Sequence, residues 1–138
     1  MGRGVEGSPL NLHLDTQAAI FLSAGETERF TPEAIRTIED ATVLYLSPMA
    51  LLEIEYLFER GRIAEDAAAV FDDLSKKIGL RVSGIPMSDI VWSSLELKWT
   101  RDPFDRLITA TAIADNRSRL LTSDRNIQTN YSASVRLW

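Results

Sequence analysis

Four acidic residues stand at positions where an α/β protein places chemically active side chains. Asp15 and Asp124 each follow a predicted strand, and ligands of open α/β sheets bind at the carboxyl ends of strands. Glu53 lies on the apolar face of a predicted helix, and Asp105 lies in the first turn of another. Carboxylates that lie close together raise each other's pKa unless a cation neutralises them. If the four acids converge, the pattern predicts a divalent metal site suited to phosphodiester hydrolysis.

Three of the four acids also have a purely structural interpretation. Asp15 would cap the helix that follows it, and Asp105 would stabilise its own helix through the helix dipole. Glu53 would reach water at the boundary of the core, because an unpaired buried carboxylate is costly. Convergence of the four side chains therefore decides between the two interpretations.

The segment around Asp105 is the strongest local signal in the chain. Asp102 is predicted to cap a helix, and Pro103 fits its first position because proline lacks the N–H that this position leaves unpaired. Phe104 and Ile108 then recur at helical spacing, so one face of this helix is buried.

Strands and helices alternate along the rest of the chain. The predicted strands cover residues 10–14, 43–46, 80–85, 119–122 and 135–138. The predicted helices comprise a short one after residue 16 and others at 32–40, 48–61, 63–78, 86–99 and 103–117. This order predicts a single α/β domain over residues 10–138, with a central parallel sheet flanked by helices. Residues 1–9 are predicted to be a flexible lead-in, and Trp92 and Trp99, seven residues apart, to pack in the core.

Composition narrows the kind of site. The chain has 138 residues and contains no cysteine. The absence of cysteine excludes disulfides and cysteine zinc sites, and the presence of a single histidine, His13, argues against histidine-based sites. Oxygen ligands then favour Mg²⁺, Mn²⁺ or Ca²⁺. The net charge of -5 argues against a broadly basic nucleic-acid surface, but not against a nucleic-acid enzyme with an acidic metal pocket. Without a membrane-length apolar run or a signal-peptide pattern, we expect a cytoplasmic protein that does not contact membranes.

Four motifs together resemble a PIN domain, and in particular the VapC-type toxins of toxin–antitoxin pairs. The motifs are Leu14-Asp15-Thr16, Ser47-Pro48-Met49-Ala50-Leu51-Leu52-Glu53, Asp102-Pro103-Phe104-Asp105-Arg106-Leu107-Ile108 and Leu120-Leu121-Thr122-Ser123-Asp124. The resemblance runs from Leu12 onward, and the Asp-Pro-Phe-Asp-Arg element is its most specific part.

The resemblance implies a metal-dependent ribonuclease with named site residues. Its catalytic and metal-binding acids fall on Asp15, Glu53, Asp105 and Asp124. Thr122 matches a hydroxyl residue near the site, and Asp102 is a cap with a candidate outer-shell role. Two departures are a Thr100-Arg101 pair where many relatives carry His-Arg, and residues 1–9, which form an extension. Neither touches the four acids.

The leading hypothesis is therefore a Mg²⁺-dependent endoribonuclease toxin, with Mn²⁺ as a substitute metal. Arg101, Arg106 and Arg125 are candidate phosphate contacts, although Arg106 would equally pair with a helix acid. The resemblance also implies RNA as substrate, a homodimer, and an antitoxin that covers apolar residues such as Leu51 and Phe58. Two alternatives stay open: a phosphohydrolase of a small substrate, which the pI of about 4.9 favours, and a catalytically silent binding module.

Overall fold

Five parallel strands form the centre of the structure, a computed structural model that describes residues 10–138. The strand order is β3-β2-β1-β4-β5, so β1 lies in the middle and pairs with both β2 and β4. This arrangement confirms the predicted α/β fold with a central parallel sheet. The predicted lead-in at residues 1–9 lies outside the described part of the chain. The strands are β1 Asn11–Leu14, β2 Val43–Leu46, β3 Arg81–Val82, β4 Arg119–Thr122 and β5 Ser134–Arg136.

Seven helices connect and cover these strands within residues 10–138. They are α1 Thr16–Ala24, α2 Pro32–Asp40, α3 Pro48–Glu59, α4 Ala67–Ile78, α5 Met87–Ser94, α6 Pro103–Ala114 and α7 Arg125–Asn130. The predicted combination of a cap and a proline starts α2, α3 and α6, where Thr31, Ser47 and Asp102 accept backbone N–H groups of the first turn. No helix of the described chain is long and apolar enough to span a membrane.

The core lies against both faces of the central strands. Leu12 and Leu14 of β1 are buried, as are Leu120 and Leu121 of β4. Burial on both faces is typical of parallel sheets covered by helices. Because β1 and β4 are neighbours, their carboxyl ends are fixed side by side, and these are the ends that Asp15 and Asp124 follow.

Several predicted boundaries are wrong. The helix predicted from residue 63 begins at Ala67, because Asp66 caps it, and the strand predicted at 80–85 shortens to β3. The helix predicted at 86–99 ends at Ser94, and the one predicted at 103–117 ends at Ala114.

The structure also differs from the sequence predictions at one tryptophan and at one helix. Trp92, predicted to be in the core, is 75% exposed, whereas Trp99 packs against the core as predicted. Helix α7 was not predicted at all.

Candidate active site

A cleft of about 410 Å³ opens at the carboxyl edge of the sheet. Asp15, Glu53, Asp105 and Asp124 all line it, although they come from four separate segments of the chain. The structure thus brings the four predicted site acids together. We refer to this cleft, defined by the four acids, as the acid cleft.

Asp15 is both a helix cap and a wall of the acid cleft. Its Oδ1 accepts the backbone N–H of Ala18 at 2.9 Å, and its carboxylate also accepts hydrogen bonds from the Thr122 hydroxyl and the Ser123 N–H. The side chain is almost completely buried, and this burial raises its pKa to about 6. Asp15 therefore caps α1 and lines the acid cleft with the same carboxylate.

Asp105 carries the most perturbed carboxyl group of the cleft. Burial, together with the charges of Asp124, Asp102, Glu53 and Asp15, raises its pKa to about 7. Within residues 10–138 no lysine, arginine or histidine forms an ion pair with it. Asp105 therefore sits among like charges that no cationic side chain offsets.

Glu53 and Asp124 are also held in place. The Thr16 hydroxyl donates to Glu53 Oε1 at 2.5 Å, and burial raises the pKa of this glutamate. Asp124 caps α7 by accepting the N–H of Ile127 at 2.9 Å. Each acid that lines the cleft is thus fixed by a cap or a hydroxyl contact, except Asp105, which α6 itself positions.

Two threonines hold these acids. Thr122 is fully buried, and its hydroxyl accepts the backbone N–H of Asp124 at 3.0 Å while donating to Asp15. Thr16, which sequence reasoning gave no role, positions Glu53. The available signal was a hydroxyl residue directly after the strand-end Asp15.

Asp102 and Arg125 occupy different places relative to the acid cleft. Asp102 caps α6 by accepting the N–H groups of Phe104 at 2.8 Å and Asp105 at 3.1 Å, and its charge acts on the acid cleft from outside. Arg125 lines the cleft, as a phosphate contact requires.

Arg106 faces elsewhere. Its Nε–H donates to the Ser94 carbonyl at 2.9 Å at the end of α5, so Arg106 neither lines the acid cleft nor forms the alternative pairing with a helix acid. Arg101 is exposed and forms no ion pair within residues 10–138.

The donor set fits a hard divalent cation. All four acids offer oxygen ligands, and none of them forms an ion pair with a cationic side chain of the described chain. Within residues 10–138 no three acidic or histidine side chains come close enough to enclose an ion directly. Carboxylate oxygens are the donors that hard divalent cations take, and such ions can be held by few carboxylates with water completing the shell.

Comparison with solved structures shows the same fold elsewhere. A chain in the crystal structure of VapBC2 from Rickettsia felis, bound to a DNA fragment from their promoter, superimposes with a TM-score of 0.63 at 15% identity, covering 91% of this chain and 96% of that one. A chain of DNA-bound VapBC from Salmonella typhimurium superimposes with a TM-score of 0.58 at 18% identity, covering 94% of this chain and 99% of that one. PAE2754 from Pyrobaculum aerophilum superimposes with a TM-score of 0.57 at 18% identity, covering 93% of this chain and 90% of that one.

Comparison at the level of sequence gives one family. No curated protein matches the chain. The family model described as PIN domain matches residues 12–132, which span β1 through α7 and include all four acids of the cleft. This chain belongs to the PIN domain family.

Proposed function

We propose that this protein is a VapC-type toxin, a Mg²⁺-dependent endoribonuclease that cleaves RNA phosphodiester bonds in the cytoplasm. The observation that carries the proposal is the environment of Asp105, whose pKa is raised to about 7 by burial and by four neighbouring carboxylates. Such crowding of acids is costly unless the site binds a cation. The PIN domain and the VapBC structures of the same fold support the same function.

The residues of the acid cleft would have different roles in this reaction. Asp15 and Asp105 would hold the ion, supported by Glu53 and Asp124, and Mn²⁺ would use the same oxygen donors. When bound, the ion would neutralise the carboxylates and lower the pKa of a water for attack on the phosphodiester. Arg125 lies at the same cleft and would contact a phosphate of the substrate.

One experiment separates this function from its alternatives. Purified protein is incubated with RNA and, separately, with small phosphomonoesters and phosphodiesters, in Mg²⁺ and in chelator. Internal cleavage of RNA that requires Mg²⁺ supports the ribonuclease. Hydrolysis of the small esters alone replaces it with a phosphohydrolase, and inactivity on every substrate leaves a binding module.

Charge removal in the acid cleft should stabilise the metal-free protein. In chelator, we expect Asp15→Asn and Asp105→Asn to raise the free energy of unfolding by about 1 kcal/mol, because repulsion among the carboxylates falls. The asparagine at position 15 keeps the cap. Both variants should gain less melting temperature from added Mg²⁺ than the wild type, because a ligand stabilises the state that it binds. Exposed Glu59 gives the control Glu59→Gln, which should do neither.

The same comparison depends on pH in a defined direction. Asp15 and Asp105 bind a proton more tightly in the folded state, where their pKa values are about 6 and about 7, than in the unfolded chain. The stability they contribute is complete below about pH 4 and is lost as pH rises through 6 and 7. The advantage of Asp105→Asn should therefore grow between pH 5 and pH 8 in urea titrations. His13 contributes equally to both proteins, and an advantage that stays constant with pH would contradict the shared acid site.

An antitoxin would cover exposed apolar residues of α3. Leu52 and Tyr56, one turn apart on the same side of the helix, are 54% and 45% exposed, and Phe58 on another side is 38% exposed. Leu51, predicted for this role, packs against the core. We expect co-expression with the small open reading frame next to this gene to give a complex with suppressed nuclease activity. Phe58→Ser should weaken that complex, measured by co-purification. A neighbour that neither binds nor inhibits would remove the toxin while leaving the nuclease.

A second copy of the chain would cover the exposed side of α5. Val91 and Trp92 on this short helix and Leu95 directly after it are 41%, 75% and 47% exposed, and exposed apolar patches mark interaction surfaces. We expect a homodimer by light scattering, shifted toward monomer by Trp92→Gln. A monomeric wild type at micromolar concentration would contradict the homodimer.

A further inference from the structure

A second polar cleft borders the acid cleft. It has a volume of about 520 Å³ and runs beside β5, which is an edge strand of the sheet. Arg125 lines both clefts, so the two are neighbours that share this residue. We call it the β5 cleft; its polar lining includes Arg125, Gln128, Thr129, Ser132, Ser134 and Arg136.

The sheet register fixes how the β5 cleft meets the acid cleft. Arg136 on β5 pairs with Thr122 at the end of β4, and the backbone N–H of Leu137 donates to the Thr122 carbonyl at 2.8 Å. The hydroxyl of the same Thr122 donates to Asp15. Arg136 therefore lies one strand away from the residue that holds a site acid.

The charge of the β5 cleft is opposite to that of its neighbour. Within residues 10–138 neither Arg125 nor Arg136 forms an ion pair, and both are exposed. The acid in the lining, Glu33, already lies 3.7 Å from Arg119. The cleft thus keeps two available guanidinium groups in a chain whose net charge is -5.

The lining favours backbone contacts over base contacts. Arginine guanidinium groups bind phosphate oxygens through a planar fork of N–H donors, and hydroxyl and amide side chains add further donors. The aromatic ring in the described lining, that of Tyr131, is buried, and its hydroxyl donates to the Ser118 carbonyl. A base therefore finds no exposed ring here on which to stack.

We propose that the β5 cleft binds the sugar-phosphate backbone of single-stranded RNA beside the bond that the acid cleft cleaves. This inference rests on the proposed ribonuclease function. It gives the acidic protein a cationic path to its substrate that is independent of nucleotide sequence, because phosphate contacts position RNA without reading its bases.

Binding tests the β5 cleft directly. A labelled 12-nucleotide RNA is titrated with protein that carries Asp105→Asn, so that the RNA stays intact. Adding Arg125→Gln and Arg136→Gln should weaken binding about tenfold at low salt and reduce the slope of log K against log salt by about 1.4, the value for two phosphate contacts on a single strand. The matched control is Arg81→Gln in the same background, since Arg81 is exposed on the opposite edge strand β3.

Cleavage by the protein with intact acids gives an independent readout. Arg136→Gln should raise KM for the 12-nucleotide RNA about threefold or more, with a smaller effect on a dinucleotide that fills the acid cleft alone. Melting temperatures are measured for all variants, since loss of a surface arginine outside an ion pair should leave them unchanged.

The two experiments distinguish failure of the β5-cleft proposal from failure of the proposed ribonuclease function. If the double arginine variant binds the RNA as tightly as Arg81→Gln does, the β5 cleft is not an RNA site, even when the wild type cleaves RNA. If the wild type does not cleave RNA in Mg²⁺, the proposed function is wrong, and the binding titration still decides whether the cleft takes a nucleic-acid backbone.

Discussion

Asp105→Asn should lower Mg²⁺-dependent RNA cleavage by about 100-fold or more while the protein stays folded. The change keeps the size of the side chain and removes a charge that would hold the ion, from the residue that four other carboxylates surround. Loss of one preorganised electrostatic group at a reacting centre costs about 100-fold to 1,000-fold in rate. Single-turnover cleavage of a defined RNA at saturating protein measures the rate constant, and circular dichroism checks the fold.

The chain supplies a matched control for this variant. Asp89 occupies the third position of α5, as Asp105 does in α6, but it is exposed and away from the acid cleft. Asp89→Asn therefore removes the same charge from the same helical position and should leave cleavage within about twofold, as surface changes usually do. A folded Asp105→Asn protein that cleaves like Asp89→Asn would show that Asp105 has no role in catalysis.

Thr122→Val should lower cleavage about 10-fold to 100-fold, the usual cost of losing a group that orients metal ligands. The variant keeps the shape of the side chain in β4 but loses the hydroxyl that donates to Asp15 and accepts the N–H of Asp124. Both acids then lose a fixed partner, and Mg²⁺ affinity should fall together with the rate. Calorimetric titration with Mg²⁺ measures the affinity without relying on turnover.

Two further threonine variants separate positioning from packing. Thr122→Ser restores the hydroxyl and should recover most of the Mg²⁺ affinity. Thr109→Val removes a hydroxyl that is equally buried but has no hydrogen-bond partner within the described chain, so it should be neutral or slightly stabilising. If Thr122→Val binds Mg²⁺ as the wild type does, Thr122 serves only the packing of the core.

The acids of the cleft could be predicted as candidates because their signals are local. Asp15 and Asp124 follow strands and start helices, and each of these features is visible within a few residues of sequence. Asp105 likewise follows a cap and a proline at fixed spacing. The structure adds that the cap and the cleft use the same carboxylates at Asp15 and Asp124, so the two interpretations of these residues do not compete.

The missed features depend on distant partners or weak patterns. Thr16 holds Glu53, which lies far along the chain, and a hydrogen bond across that separation leaves no local trace. Helix α7 has only six residues and buries only Ile127, so it has no helical periodicity to detect. Trp92 and Trp99 were assigned to one helical face because they are seven residues apart. Helix α5 ends at Ser94, so Trp99 is not part of it and the spacing does not place the two rings on the same side.

The central position of β1 also governs when the site can exist during synthesis. Among the described strands β1 is synthesised first, yet its partner β4, where Leu12 pairs with Arg119, lies about a hundred residues later. At about 5–20 residues per second, synthesis of the segment between them takes on the order of ten seconds. Until β4 has been made, Asp15 has no Asp124 beside it. Chains that stop before Asp124 should therefore lack the proposed nuclease activity, because the full set of acids assembles only after β4 and the residues that follow it have been synthesised.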